Sequence, residues 1–224
     1  MHIGFILDGN RTWAKNKWLP SFEWHRKGYD NIAPILDLCI SHSIEYTTLW
    51  VLSDKNIQER SHEEVSYLFD LLTHGIKKLG KTAQKKGIRL CTIWDTSLLP
   101  ESCLKNIHEA ECLTRNNTHM TCIIAIGYGW RNEITRGIQR WIAENKDIHT
   151  LNEASFWSFI ESGKFPPIDL IVRTGWHMRH SWLLLYGSEY AEYFFTPTLW
   201  PDFGENDFDA AMNQYKNATR KFGK

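Results

Sequence analysis

Residues 2–13 read His2-Ile3-Gly4-Phe5-Ile6-Leu7-Asp8-Gly9-Asn10-Arg11-Thr12-Trp13, and the change of character at Asp8 decides the fold. Residues 2–7 are a continuous apolar run, too short for an ordinary globular helix. Such a run reads as a strand buried on both faces. A strand of that kind belongs inside a parallel sheet covered by helices. The polar turn Asp8-Gly9-Asn10 then stands at its carboxyl end, where open parallel sheets bind their ligands.

The same alternation continues along the chain. Residues 25–43 place Ile32, Ile35, Leu36, Cys39 and Ile40 on one helical stripe. Residues 46–52, YTTLWVL, are β-branched and aromatic, and predict a strand. Residues 63–86 carry Val65, Leu68, Phe69, Leu72, Ile76 and Leu79 at helical spacing and stop at Gly87. Further strands are expected at 89–94, 121–127, 170–173 and 193–196. Further helices are expected at 101–115, 131–143, 152–162 and 207–222. This order predicts an α/β fold: a single domain over residues 1–224, with a central, mostly parallel sheet of about six strands flanked by helices. Five lysines in residues 77–86 read as a solvated helix face.

With 42% hydrophobic and 23% charged residues, the 224-residue chain suits a soluble globular domain and not a disordered one. Lys plus Arg and Asp plus Glu both number 26, so the formal charge is zero. No chain-wide basic field exists to hold nucleic acid, and any anion must be gripped by a local cluster. The longest apolar stretch, residues 122–130, is interrupted by glycines and too short to cross a bilayer, so no integral membrane segment is expected. The N-terminus shows no basic leader or cleavage pattern. Five cysteines (Cys39, Cys91, Cys103, Cys112, Cys122), odd in number and without a C-x-x-C pair, read as thiols of a cytoplasmic protein rather than disulfides or zinc ligands.

The chemistry lies where strands end. The first strand runs into Asp8-Gly9-Asn10-Arg11, the second into Ser53-Asp54-Lys55-Asn56, the fourth into Gly127-Tyr128-Gly129-Trp130-Arg131. The fifth runs into Arg173-Thr174-Gly175-Trp176-His177-Met178-Arg179-His180-Ser181. Glycine lets backbone N–H groups approach an anion, and arginine offers forked donors to phosphate oxygens. Together they predict a phosphate-type pocket. Taken singly, each has a plainer reading: Asp8-Gly9-Asn10 is a common turn, and Arg173 and Arg179 are surface ion-pair residues. His177 and His180 lack a third metal ligand. No HExxH, P-loop or G-x-G-x-x-G occurs, so zinc-protease, Walker and dinucleotide readings lose their main support.

The combination is more specific than its parts. HIGFILDGNRTWAKNKWLPSFEWHRKGYDNI (2–32), IEYTTLWVLSDKN (44–56) and DLIVRTGWHMRHSWLLLYGSEYAEYFFTPTLWPDF (169–203) together resemble the cis-prenyltransferase family, typified by undecaprenyl diphosphate synthase. Enzymes of this family join isopentenyl diphosphate to an allylic diphosphate, use Mg²⁺ and act as homodimers. The resemblance implies that Asp8 and Glu192 are the metal carboxylates. It implies that Asn10 and Ser53 orient the substrates and assist proton removal, with Asn56 on the same loop. His25 would stand beside the allylic diphosphate, with Gly9, Arg11 and Trp13 on the donor loop. Arg173, Arg179 and Ser181 would cradle isopentenyl diphosphate. Arg220 and Lys221 resemble a tail that reaches into the partner subunit's site.

The departures shape the expectation. Where the family reads D-G-N-G-R-W, Arg11-Thr12 follows Asn10, so Arg11 stands one position early. A further arginine of the family is Ser21, and a tryptophan after Asn56 is Ile57, with one extra residue beyond it. Trp176, His177 and Trp182 replace Gly, Glu and Asn; Gly127 and Trp130 replace Asn and Gly. Trp130, Trp176 and Trp182 either pack at the sheet edge or dimer interface, or roof the site and stabilise an allylic cation. Trp50, Val51 and Trp94 add bulk to the hydrophobic tunnel that the family runs along its sheet, which predicts a short product, about C10–C20. Two alternatives remain open: lavandulyl-type coupling or cyclisation on the same fold, and a non-catalytic subunit of a hetero-oligomeric prenyltransferase. The expectation leans on Asp8 and Glu192 facing one shared cavity.

Overall fold

A computed structural model of the chain describes residues 1–20 and 23–220, without the side chains of Glu23 and Thr96. The expectations for Ser21, Lys221 and a helix reaching residue 222 lie outside the described residues. Six strands form one sheet: β1 (His2–Ile6), β2 (Tyr46–Ser53), β3 (Ile88–Trp94), β4 (Met120–Tyr128), β5 (Leu170–Arg173) and β6 (Glu192–Phe195). Their order is β3-β4-β2-β1-β5-β6, and every pair is parallel. All of β1 is buried, His2 at its start included, as a strand inside a parallel sheet requires.

Nine helices cover the described chain: α1 (Asn10–Asn16), α2 (Glu23–Asp30), α3 (Ile32–Ser41), α4 (Asp54–Glu59), α5 (His62–Lys86), α6 (Glu101–Thr114), α7 (Trp130–Ala143), α8 (Glu153–Phe159) and α9 (Glu205–Asn217). The long α5 carries its own punctuation. The Ser61 hydroxyl accepts from the Glu64 N–H, Glu63 and Glu64 sit in the first turn, and Lys85 and Lys86 in the last. Gly87 closes it at φ 68°. One sheet face packs on α3, α5, α6 and α9 through Leu36, Ile76, Ile107 and Phe208. The smaller core on the other face holds Ile6, Ile123, Tyr128 and Leu183. All five cysteines are free thiols. Among the described residues no helix is long and apolar enough to cross a membrane.

The helix expected over 25–43 is two helices. Pro34 has no N–H with which to reach the Asp30 carbonyl, so the ladder is interrupted where α3 begins. At the join, the Asn31 side chain donates to the carbonyls of Trp200 (2.7 Å) and Phe203 (3.0 Å). The expected helices at 152–162 and 207–222 are the shorter α8 and α9. Two further helices, α1 and α4, occupy stretches read as strand-end turns.

Candidate active site

β1 lies between β2 and β5, and the chain winds to one side of it before returning to the other. The crevice outside the carboxyl ends of β1 and β5 is therefore the topological switch point. Asp8 and Arg173 meet there, with Asp8 Oδ2 2.5 Å from Arg173 Nη2. The other arm of the Arg173 fork donates to Ser181 Oγ and to the Arg179 carbonyl, each at 2.5 Å. The Arg173 side chain is 4% exposed and that of Asp8 36%. The Asp8 main chain is pinned as well: its carbonyl accepts from Thr174 Oγ1 (2.7 Å) and the Trp200 N–H (3.0 Å).

Gly9 is required at the turn into α1. Its φ is 103°, and a Cβ there would lie 2.7 Å from a Leu199 methyl. Asn10 opens α1 and donates to the Leu7 carbonyl at 3.0 Å, while its Oδ1 is buried without a partner. A Cβ on Gly28 of α2 would lie 2.3 Å from that oxygen, so this glycine admits α1 to the site.

A cationic group stands at the same mouth. Arg11 donates to both Glu64 oxygens at 2.6 and 2.8 Å, and Arg60 lies 3.0 Å from Glu64. Burial alone would raise the Glu64 carboxyl; the Arg11 hydrogen bond and the Arg60 charge outweigh it and hold it below the usual carboxylate range. His25 Nε2 is 3.6 Å from Glu64. Burial and the neighbouring Arg60 charge lower its pKa to about 4, so the ring is neutral near pH 7. Arg60 and Glu64 were not singled out from the sequence.

Below the mouth a cavity runs between β1, β2 and β4 and the helices α2, α3 and α5. Asn10 and His25 line it near the charged group; Leu7, Val51, Leu68 and Ile76 make hydrocarbon walls. A bulge shapes one wall. Between the pairs Trp50–Ala125 and Leu52–Ile126, β2 advances two residues and β4 one. Val51 and Leu52 consequently both line the cavity.

The structure places several other expected site residues differently. Trp50 lies on the opposite sheet face, T-shaped on Tyr128 at 5.9 Å, because the bulge begins after it. It therefore does not narrow the tunnel. Trp94 packs at the core edge and Trp13 is buried within α1; neither lines the cavity. Trp176 is 75% exposed on the loop after β5. Trp130 and Trp182 contact each other at 5.9 Å on the β5–β6 side. None of these three roofs the cavity. Arg179 is exposed beside Ser181. Ser53 and Asn56 form the capping box of α4: Ser53 Oγ accepts from the Asn56 N–H at 3.1 Å, and Asn56 Oδ1 from the Ser53 N–H at 3.4 Å.

The paired-carboxylate metal site is not assembled within one chain. Glu192 pairs with Leu170 at the amino end of β6, whereas Asp8 lies past the carboxyl end of β1. Glu192 stands three pairs back from the Phe195–Arg173 pair, roughly 10 Å along the strand and two strands across from β1. Neither carboxylate lines the main cavity described above. Among the described residues no cluster of three or more His, Cys, Asp or Glu side chains forms a metal site. Arg220 is also at the amino end of the sheet, donating to Asp169 Oδ1 (3.0 Å) and the Tyr215 hydroxyl (2.7 Å) of its own chain.

A parallel sheet with a cationic crevice at its switch point, opening into a hydrocarbon-walled cavity, is the setting of an enzyme that transfers prenyl groups. A family model described as undecaprenyl diphosphate synthase matches residues 6–223, and the chain belongs to that family of prenyltransferases. An isoprenyl transferase of Rickettsia bellii is 37% identical, covering 100% of this chain and 97% of its own. The crystal structure of lavandulyl diphosphate synthase from Lavandula x intermedia, in complex with dimethylallyl diphosphate, superposes with a TM-score of 0.90 at 33% identity. It covers 100% of this chain and 98% of that one. A probable undecaprenyl diphosphate synthase from Campylobacter jejuni has a TM-score of 0.83 at 27% identity, again over 100% and 98% of the two chains.

Proposed function

We propose that the protein condenses isopentenyl diphosphate with a short allylic diphosphate to a short-chain prenyl diphosphate, working as a cytoplasmic homodimer. The observation that carries this reading is the cavity: a charged mouth for a diphosphate head and hydrocarbon walls for a prenyl tail.

Arg11 and Arg60 hold the allylic diphosphate at the cavity mouth. Neutral His25 beside them offers a hydrogen bond rather than a fixed charge. Arg173, Arg179 and Ser181 hold isopentenyl diphosphate, with Gly9 and Gly175 letting the two loops close on each other. Asn10 and Ser53 orient the acceptor and assist loss of its proton, and Asn56 steadies Ser53 through the cap. The residues present suit Mg²⁺: the partly exposed Asp8 supplies one carboxylate at the strand end, and this ion binds through one or two carboxylates together with phosphate oxygens and water. When bound, the ion neutralises charge on the departing diphosphate. Asp8 alone is the metal carboxylate in this reading.

The dimer reading rests on the free edge of β6, where Tyr193 and Phe195 stack at 5.9 Å close to the exposed Trp176 and Trp182. Sedimentation at micromolar concentration checks it: a dimer is expected, and a monomer contradicts it.

A second reading, lavandulyl-type coupling of two allylic units, is supported by the 0.90 superposition on lavandulyl diphosphate synthase and by the displaced Arg11. One assay separates the two. The protein with Mg²⁺ is given dimethylallyl diphosphate alone, then with labelled isopentenyl diphosphate, and products are sized by mass spectrometry. Linear products of about C10–C20 only when isopentenyl diphosphate is present support condensation. A branched product from dimethylallyl diphosphate alone supports coupling. Products of C50–C55 overturn the short-chain reading.

A further inference from the structure

Behind the main cavity lies a second, smaller pocket, lined by Tyr29, Asp30, Ala33, Lys78 and Thr82. Tyr29, Ile32 and Leu79 line both spaces. Tyr29 sits one helical turn beyond His25 on α2, so it lies deeper along the wall on which His25 marks the mouth. Its hydroxyl donates to the Gly75 carbonyl of α5 at 2.8 Å, which bridges the gap between the two helices. The ring packs closely on Gly75: a Cβ there would lie 2.8 Å from Tyr29 Cε2. Glycine in the middle of a 25-residue helix weakens that helix relative to alanine, so the notch serves the ring and not α5. Lys78 Nζ lies 5.5 Å from the ring centroid on the second-pocket side.

We propose that Tyr29, latched to Gly75, is the partition that sets the upper length of the hydrocarbon tail. This rests on the reading of the cavity as a prenyl-chain site. A growing tail fills the main cavity and meets the tyrosine ring. Without the ring, the main cavity and the pocket behind it become one continuous passage between α2, α3 and α5, walled by Ile32, Ala33 and Leu79 and ending at Asp30, Lys78 and Thr82. Tyr29 is thus a specificity-determining residue on the cavity wall, distant from the Asp8 crevice.

The test measures binding, so it does not depend on turnover. Saturated alkyl diphosphates of C5, C10, C15 and C20 are titrated by calorimetry, with Mg²⁺, into the wild-type protein and into Tyr29→Ala, Tyr29→Leu and Tyr29→Phe. In the wild type, affinity is expected to rise with chain length and then break within this series. In Tyr29→Ala and Tyr29→Leu the break moves to a longer chain by at least one C5 unit; Tyr29→Phe, which keeps the ring, retains the wild-type break. Tyr29→Leu keeps an apolar side chain in place and covers the case in which Tyr29→Ala does not fold. An unchanged break in the folded Ala or Leu variant overturns the partition while leaving the prenyl-chain reading intact. Failure of the wild-type protein to bind any member overturns both.

Discussion

Asp8 and Arg173 meet at 2.5 Å although 165 residues separate them in the chain, because β1 and β5 are neighbours in the sheet. The contact joins two strand ends into one crevice and leaves the second arm of the arginine fork to hold the loop after β5. Removing the carboxylate strands a buried guanidinium. Asp8→Ala is therefore expected to lose turnover and about 1–3 kcal/mol of stability. Asp8→Asn keeps an acceptor for Arg173 but loses the charge. It should melt close to wild type yet turn over at least about 100-fold more slowly. Thermal melts paired with steady-state kinetics check this, and near-normal kcat in Asp8→Asn removes the carboxylate from metal binding.

Arg11 and Arg60 share the Glu64 carboxylate, so the two cations stand side by side at the cavity mouth. Truncating either should raise KM for the allylic diphosphate by about 10–100-fold, the worth of a hydrogen bond to a charged group. KM for isopentenyl diphosphate should change little. Initial-rate measurements with each substrate varied in turn check the asymmetry; equal effects on both would place the arginines at neither head group in particular.

Much of this molecule was legible in its sequence, for physical reasons. Buried parallel strands are apolar throughout, so β1 and β5 stood out. Long helices display their period, so α5 was readable almost to the residue. The short helices α1 and α4 were missed because seven and six residues are too few to show a stripe. For α4, the Ser53-x-x-Asn56 capping box was the available signal. The strand register decided the rest. Ordinary alternation from Leu49 puts Trp50 on the far face, the bulge after it brings both Val51 and Leu52 to the cavity, and Glu192 falls at the amino end of β6, out of reach of Asp8. Motif order carried the family, but neither bulge nor register is written in a motif.

Trp176 occupies left-handed backbone at φ 66° and is 75% exposed. A tryptophan there costs roughly 1 kcal/mol that glycine does not. Since Trp176 lines no part of the cavity, Trp176→Gly should leave product length unchanged and raise stability by up to about 1 kcal/mol, after the entropy of the more flexible unfolded chain is subtracted. Chemical denaturation and product analysis check it. A changed product set would return Trp176 to the site.

His2 is buried, with Nδ1 2.8 Å from the Pro166 carbonyl and Nε2 2.8 Å from Thr48 Oγ1. Burial lowers its pKa to about 4 from the ordinary 6.5. Between those values the unfolded chain binds a proton that the native chain does not. Stability is therefore highest above pH 6.5 and falls as the pH drops towards 4, by about 3 kcal/mol for this group. Urea midpoints at pH 7 and 4.5 measure the fall, and His2→Gln should make it shallower. A midpoint that rises on acidification would contradict the buried neutral ring.

The central claim is that an allylic diphosphate lies with its head at the cavity mouth beside Arg11 and Arg60 and its tail in the cavity beneath. A crystal structure with Mg²⁺ and a non-reactive thiolo analogue of an allylic diphosphate tests it directly. The account predicts diphosphate oxygens in contact with Arg11 and Arg60, a metal on Asp8, and the hydrocarbon between Val51 and α5. A diphosphate bound elsewhere, or a tail lying on the Trp176–Trp182 loop with the cavity empty, would contradict it.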